Sequence, residues 1–381
     1  MMPDDVRRDP LSLCHGAARL PLVEVETYNE ELRDAEGFLG DRASSRAFRA
    51  ILDDWRERMR ELGEEDPLGE RPSGAITKKK LDRLLRDGDP LAAGLVHTAI
   101  EDFATELATV TGRFLRLKPW RGTERIIVGG GLRASRVGEV AIGRAAVLVK
   151  AAGHAVDIVP IRHHPDEAGL IGSVHLAPSW IFSGSDAMLA VDIGGSKIRA
   201  GVVELHRGKA PDLSACSVMA AELWRHADEE PRPKREDAVA RLVEMLQSLV
   251  KAAAKADRVL APLIGVACPG VIAEDGSIER GGQNLPGNWE SSRFNLVERL
   301  CEGIPRIGGH PTRVVVHNDA VVQGLSEAPF MKDVVRWGVL TIGTGLGNAR
   351  FTTRPPADED EASDGEHAGS REARRHAARS A

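Results

Sequence analysis

The chain has 381 residues, 42% hydrophobic and 28% charged, which is long enough for two core-bearing units. Its 57 acidic and 51 basic residues leave a net charge of -6, with no basic surplus to imply a nucleic-acid partner. No stretch reaches the roughly 18 apolar residues of a membrane helix, the first 20 residues hold no apolar signal core, and Cys14, Cys216, Cys268 and Cys301 lack the spacing of a zinc site or disulfide framework, so a cytoplasmic location is expected.

Residues 1–20 are polar and rich in Pro and Arg and read as disordered, as does the charge-segregated tail 355–381, a solvated extension or a docking tail. Between them strands and helices alternate. A strand is expected at 22–27 and helices at 43–62 and 77–86. Asp89-Pro90 is a helix start, with Asp as cap and Pro in the first turn, followed by an apolar stripe at helical spacing to Val110. A strand at 125–128, a glycine turn at 129–131, a helix to about 150, a strand at 155–159 and a helix at 166–176 come next. After a connector at 178–186, strands are expected at 188–192, 201–205, 263–267, 314–317 and 339–342, with a helix carrying Val239, Leu242, Leu246 and Leu249. That alternation indicates an α/β architecture with mixed sheets.

Five segments carry candidate chemistry. Residues 190–201 read AVDIGGSKIRAG, a strand that delivers Asp192 into a glycine turn. Gly194 and Gly195 let backbone N–H groups approach phosphate oxygens, Ser196 and Lys197 add donors, and Asp192 can hold Mg²⁺ through water. A plain β-hairpin is the simpler alternative. Residues 340–348, LTIGTGLGN, form a second strand-to-glycine loop with Gly343, Thr344, Gly345 and Gly347, lacking the GK[ST] ending of a P-loop. In residues 317–320, HNDA, Asn318 can bond a sugar hydroxyl and Asp319 can accept its proton, unless the pair merely caps a helix. The loop 279–289, ERGGQNLPGNW, offers Gly282 and Asn284 to sugar hydroxyls, or is a turn-rich surface loop. Gly129, Gly130 and Gly131 can let adenine or ribose lie on bare backbone, or form a tight strand-to-helix turn.

Together these segments resemble the ROK family of repressors and sugar kinases over about residues 35–354. DIGGSK looks like its first phosphate motif, GVACPGVI with NLPGNW like its sugar loop, HNDA like its catalytic-Asp motif, and LTIGTGLG like its second phosphate motif. The resemblance implies a two-lobed actin/hexokinase (ribonuclease-H-like) ATPase fold. It also implies a glucokinase-like phosphotransferase that uses ATP and Mg²⁺ on a hexose-type hydroxyl, with Asp319 as general base, and it is compatible with a homodimer. The expected lobes are residues 21–165 plus 320–354, the larger, and 166–319, the smaller, which bears the first phosphate motif. In the family the segment with the GGG turn follows the second phosphate motif, whereas here it precedes the first. This reads as a circular permutation, with Val23 and Phe351 in neighbouring strands.

Two departures bear on activity. The family's zinc-binding Cys cluster and Gly-His pair are missing, so no zinc is expected. Gly40 stands where a sugar-binding Glu would, with Asp41 beside it and Glu24 and Glu26 as substitutes. Two further clusters have plain readings: Asp166 capping a helix after His163 and His164 rather than a metal site, and Lys78, Lys79 and Lys80 as a solvated helix start rather than a phosphate clamp. The alternatives to a kinase are a ROK-like transcriptional regulator, whose helices would project as a separate domain, and a catalytically silent sugar or nucleotide sensor.

Overall fold

The computed structural model describes residues 13–35 and 37–354; residues 1–12, the C-terminal tail and Glu36 lie outside the described residues. Ten strands build two five-stranded sheets. The first sheet contains β1 (Val23–Tyr28), β2 (Arg125–Gly129), β3 (Asp157–Pro160), and, from the far end of the chain, β9 (Arg336–Ile342) and β10 (Leu346–Thr353). The second contains β4 (Ala187–Ile193), β5 (Ile198–Glu204), β6 (Ser217–Trp224), β7 (Leu260–Cys268) and β8 (Arg313–Asn318).

The two sheets share one plan. In the second, the hairpin β4–β5 takes β6 antiparallel on one side and the parallel strands β7 and β8 on the other, giving the order β6-β5-β4-β7-β8. In the first, the hairpin β9–β10 takes β1 antiparallel beyond β10 and the parallel strands β2 and β3 beyond β9, giving β1-β10-β9-β2-β3. This doubled mixed sheet is the actin/hexokinase architecture. The chain runs through the second sheet in the order hairpin, third strand, parallel pair. In the first sheet it begins with the third strand and ends with the hairpin. Val25 pairs with Phe351 and Val23 with Thr353, so the two ends of the described chain lie in adjacent strands.

Helices cover the sheets where apolar stripes demand it. On one face of the first sheet lie α1 (Ser45–Glu61), α2 (Lys78–Asp87), α3 (Pro90–Arg116) and α4 (Arg136–Ala151). Their starts follow local chemistry. Ser44 accepts from Ala47 N at 3.1 Å, and Asp89 accepts from Leu91 N and Ala92 N at 2.9 and 3.1 Å. Phe103, Ile100 and Val96 of α3 pack with Val128, Leu340 and Ile342, so these helices share the sheet's core rather than forming a separate domain. The helices α6 (Arg235–Lys255) and α7 (Leu296–Gly303) cover the outer face of the second sheet.

Between the sheets run α5 (Pro165–Gly172) and α8 (Asp319–Leu325), which share a core with strands of both. Their approach is very close: a Cβ on Gly172 would lie 1.7 Å from Val322 O. Three expectations change here. The helix expected at 166–176 is α5 followed by a 3-10 turn at Ser173–Leu176. Its cap is His164, whose Nδ1 accepts from Asp166 N at 3.2 Å, and not Asp166. Residues 13–20, read as disordered, are ordered because they pair with the edge of β8: Gly16 N donates to Val316 O at 3.0 Å and Leu20 is buried.

Candidate active site

The hairpin ends of both sheets open into one cleft, a cavity of about 740 Å³. Gly194, Gly195, Ser196 and Lys197 line it from the β4–β5 turn, and Gly343, Thr344, Gly345 and Gly347 from the β9–β10 turn. Asp192 and Asp319 line it as well.

Each turn is held from behind. Gly194 N donates to Lys197 O at 2.8 Å, and Gly194 O lies 2.9 Å from His226 Nε2. Gly343 N donates to Gly345 O at 2.9 Å, while Ser45 N and Arg46 Nε at the start of α1 bond the carbonyls of Gly343 and Thr344 at 2.9 and 3.1 Å. The turns therefore keep a fixed backbone toward the cleft. A fixed backbone suits anion binding, because donors held in place need no reordering when a phosphate arrives.

Asp319 begins α8 at the carboxyl end of β8, where the sheet strand turns into a helix. Burial, and then the neighbouring charge of Asp192, push its carboxyl up to about 7, against the opposing bond from Ala320 N at 2.8 Å. A carboxylate that titrates near neutrality is tuned for taking up a proton from a hydroxyl. Asn318 serves the fold instead. Its side-chain oxygen caps α8 by accepting from Ala320 N and Val321 N at 2.9 and 3.3 Å, and its amide donates to Gly270 O at 2.9 Å. With both ends engaged and the side chain buried, Asn318 does not reach the cleft.

The other sequence candidates divide. Gly130 and Gly131 line the cavity, whereas Gly129 lies behind them, facing Gln323 and Ile161. Gly130 has φ of +85° and a Cβ there would meet Ile342 O at 2.4 Å, so only glycine fits. Asn284 lines the cavity against the first turn, together with Gln283, while Gly282 donates its N–H to Glu290 Oε1 at 2.8 Å outside it. Gly40 and Asp41 line the cavity; Glu24 and Glu26 do not.

Several lining residues escaped the sequence reading. Lys78 is the exposed first residue of α2, as read from the sequence, and its Nζ also bonds the carbonyl of Gly131, where desolvation followed by the charge of Lys197 pulls its pKa down. Asn29 and Glu30 enter just past β1, with Glu30 N bonded to Asn348 Oδ1 at 3.0 Å. Gln323 stands one helical turn beyond Asp319, and its buried Oε1 has no partner. The i, i+4 spacing from Asp319 was the signal that could have found it.

Beyond the glycine turns the cavity is lined by Phe48, Leu52, Ile76, Leu81, Leu132 and Val137, an apolar end of the kind a purine ring occupies. A divalent ion at Asp192 fits less well. Asp192 Oδ2 already accepts from Arg199 Nη1 at 3.1 Å, and among the described residues no group of three or more His, Cys, Asp or Glu side chains is placed to hold a metal. The carboxylate assigned to Mg²⁺ by the sequence is thus bonded to a guanidinium.

No family model and no curated protein sequence matches the chain. Among solved structures it is similar to a ROK family glucokinase from Streptomyces griseus in complex with glucose and AMPPNP, at 20% identity and a TM-score of 0.33, covering 44% of this chain and 46% of that one. A ROK hexokinase from Thermus thermophilus is similar at 22% identity and a TM-score of 0.25, covering 35% of each chain. A Ppx/GppA family member from Aquifex aeolicus is similar at 12% identity and a TM-score of 0.29, covering 66% of this chain and 87% of that one. The chain thus spans less than half the length of the ROK structures it is similar to. Among the described residues no helix is long and apolar enough to cross a membrane.

Proposed function

We propose that this chain is an ATP-dependent sugar kinase of ROK type that transfers the γ-phosphoryl group to a hexose-type hydroxyl. One observation carries the reading: two glycine turns about 150 residues apart in sequence and a carboxyl tuned to about 7 line a single cleft. The sugar hydroxyl gives its proton to Asp319 as its oxygen attacks Pγ, the bond from Pγ to the bridging oxygen breaks, and ADP leaves. Backbone N–H groups of residues 195–197 and 344–347 hold the phosphates. Asn284, with Glu30 and Asp41, faces the sugar in place of the missing Glu at position 40. Mg²⁺, when bound with the nucleotide, neutralises phosphate charge.

The chain order of the first sheet supports a circular permutation of the family plan, with lobes at 21–165 plus 320–354 and at 166–319. A regulator is the weaker reading, because α1–α4 are spent in the core of the first sheet. The test is a coupled ADP-release screen with Mg-ATP over hexoses, N-acetylated hexosamines and polyols. Sugar-dependent ADP release is expected, and its absence across the panel, with nucleotide binding intact, would favour a silent sensor.

A further inference from the structure

The first phosphate turn contains a charge arrangement that the kinase reading does not use. Asp192 and Arg199 are direct cross-strand partners in the β4–β5 hairpin. Arg199 donates Nη1 to Asp192 Oδ2 at 3.1 Å and Nη2 to Asp166 Oδ1, so the guanidinium lies between two carboxylates from different elements. Its side chain is 15% exposed, its Nε is buried without a partner, and it lines the cleft. Asp192 cannot retreat from it: a Cβ on Gly169 of α5 would lie 2.7 Å from Asp192 Cγ, which shows how closely the helix backs the carboxylate. Lys197 and Lys78 stand near enough for their charges to act on one another and on Asp166.

A carboxylate that holds a hydrated divalent ion needs a free face. Asp192 has a guanidinium on one oxygen and α5 packed against its Cγ. A guanidinium that lines the cleft has, in contrast, further N–H groups on Nη1 and Nη2 beyond those given to Asp192 and Asp166, and its planar fork can serve a carboxylate and a phosphate together. We propose that Arg199 is the resident cation of the first phosphate turn: it neutralises Asp192 and positions the donor's phosphate oxygens, so that phosphate binding does not depend on a divalent ion at Asp192. The inference rests on the reading of the cleft as a donor-phosphate site. It makes Arg199 a positioning residue, held ready by Asp166.

The test is calorimetric titration of the full chain with AMPPNP, in EDTA and in Mg²⁺. The wild type is expected to bind within about threefold in the two buffers, and R199M to weaken by more than about tenfold in EDTA, the loss of one charge-assisted bond. R199K, which keeps the charge, should recover most of the EDTA affinity. D192N separates the alternatives: with Arg199 released toward phosphate, binding in EDTA stays as tight or tightens, whereas a metal ligand at Asp192 would show as a lost Mg²⁺ dependence. The inference is overturned if the wild type needs Mg²⁺ by more than about tenfold or if R199M and R199K, both folded by circular dichroism, bind in EDTA as the wild type does. Absence of AMPPNP binding in either buffer would instead overturn the donor-phosphate reading itself, and the inference with it.

Discussion

Asp319→Asn is expected to stabilise the protein at alkaline pH while abolishing turnover. Folding raises the carboxyl from 3.8 to about 7, chiefly through burial and then through Asp192. The sign follows from linkage: between these two values the unfolded chain has lost the proton and the folded chain keeps it, so stability falls as pH rises and is flat above about 7. Three pK units correspond to about 4 kcal/mol at ~1.36 kcal/mol each. Asparagine is isosteric and its oxygen still accepts from Ala320 N. Urea denaturation at pH 4, 6 and 8 measures the effect: near-equal stabilities at pH 4, with the variant ahead by the full amount at pH 8. A variant equally stable or weaker at pH 8, with a difference independent of pH, would refute the claim that burial holds this carboxyl up.

Other consequences follow from the same geometry. With Asp319 as base, kcat/KM should fall about tenfold per pH unit below about 7 and level off above it, as a rate profile would show. Gly130→Ala forces a Cβ to within 2.4 Å of Ile342 O at a positive φ, so it should cost about 2–3 kcal/mol in thermal unfolding and weaken nucleotide binding. Asn284→Ala should raise the KM for sugar about tenfold or more, while Gly282→Ala, with no contact nearer than 3.5 Å, should leave it unchanged. Arg56 is buried in α1 and bonds Asp66, Ser73, Gly69 O and Arg71 O, fixing the loop that leads to α2. Arg56→Met should cost about 3–5 kcal/mol in denaturant unfolding.

Much of the fold was legible because local and tertiary demands agree. The strand of residues 187–193 is apolar but for Asp192 and buried throughout, Asp89-Pro90 starts a helix in the sequence and in the structure, and Val23 and Phe351 lie in neighbouring strands, as expected from the order of the motifs. What failed shares a physical cause. β6 was missed because it is an edge strand, half-buried, and its VMAAELW lacks a clean alternation. Residues 13–20 looked too polar to order, yet His15 and Gly16 bond the backbone of Val316, partners that only the folded sheet provides. In the site, HNDA permitted both a cap and a base; the structure divides the roles, with Asn318 capping and Asp319 facing the cleft. Lys78 was beyond local reasoning, since the carbonyl it meets belongs to Gly131, 53 residues away.

Phosphorus-31 magnetic resonance of the full reaction mixture tests the central claim most directly. With Mg-ATP and an accepted sugar, the wild type should produce ADP and a phosphate monoester in equal amounts, and Asp319→Asn should produce neither. Inorganic phosphate in place of the monoester, or a monoester formed undiminished by the variant, would contradict the account of a cleft that delivers phosphate to a sugar through Asp319.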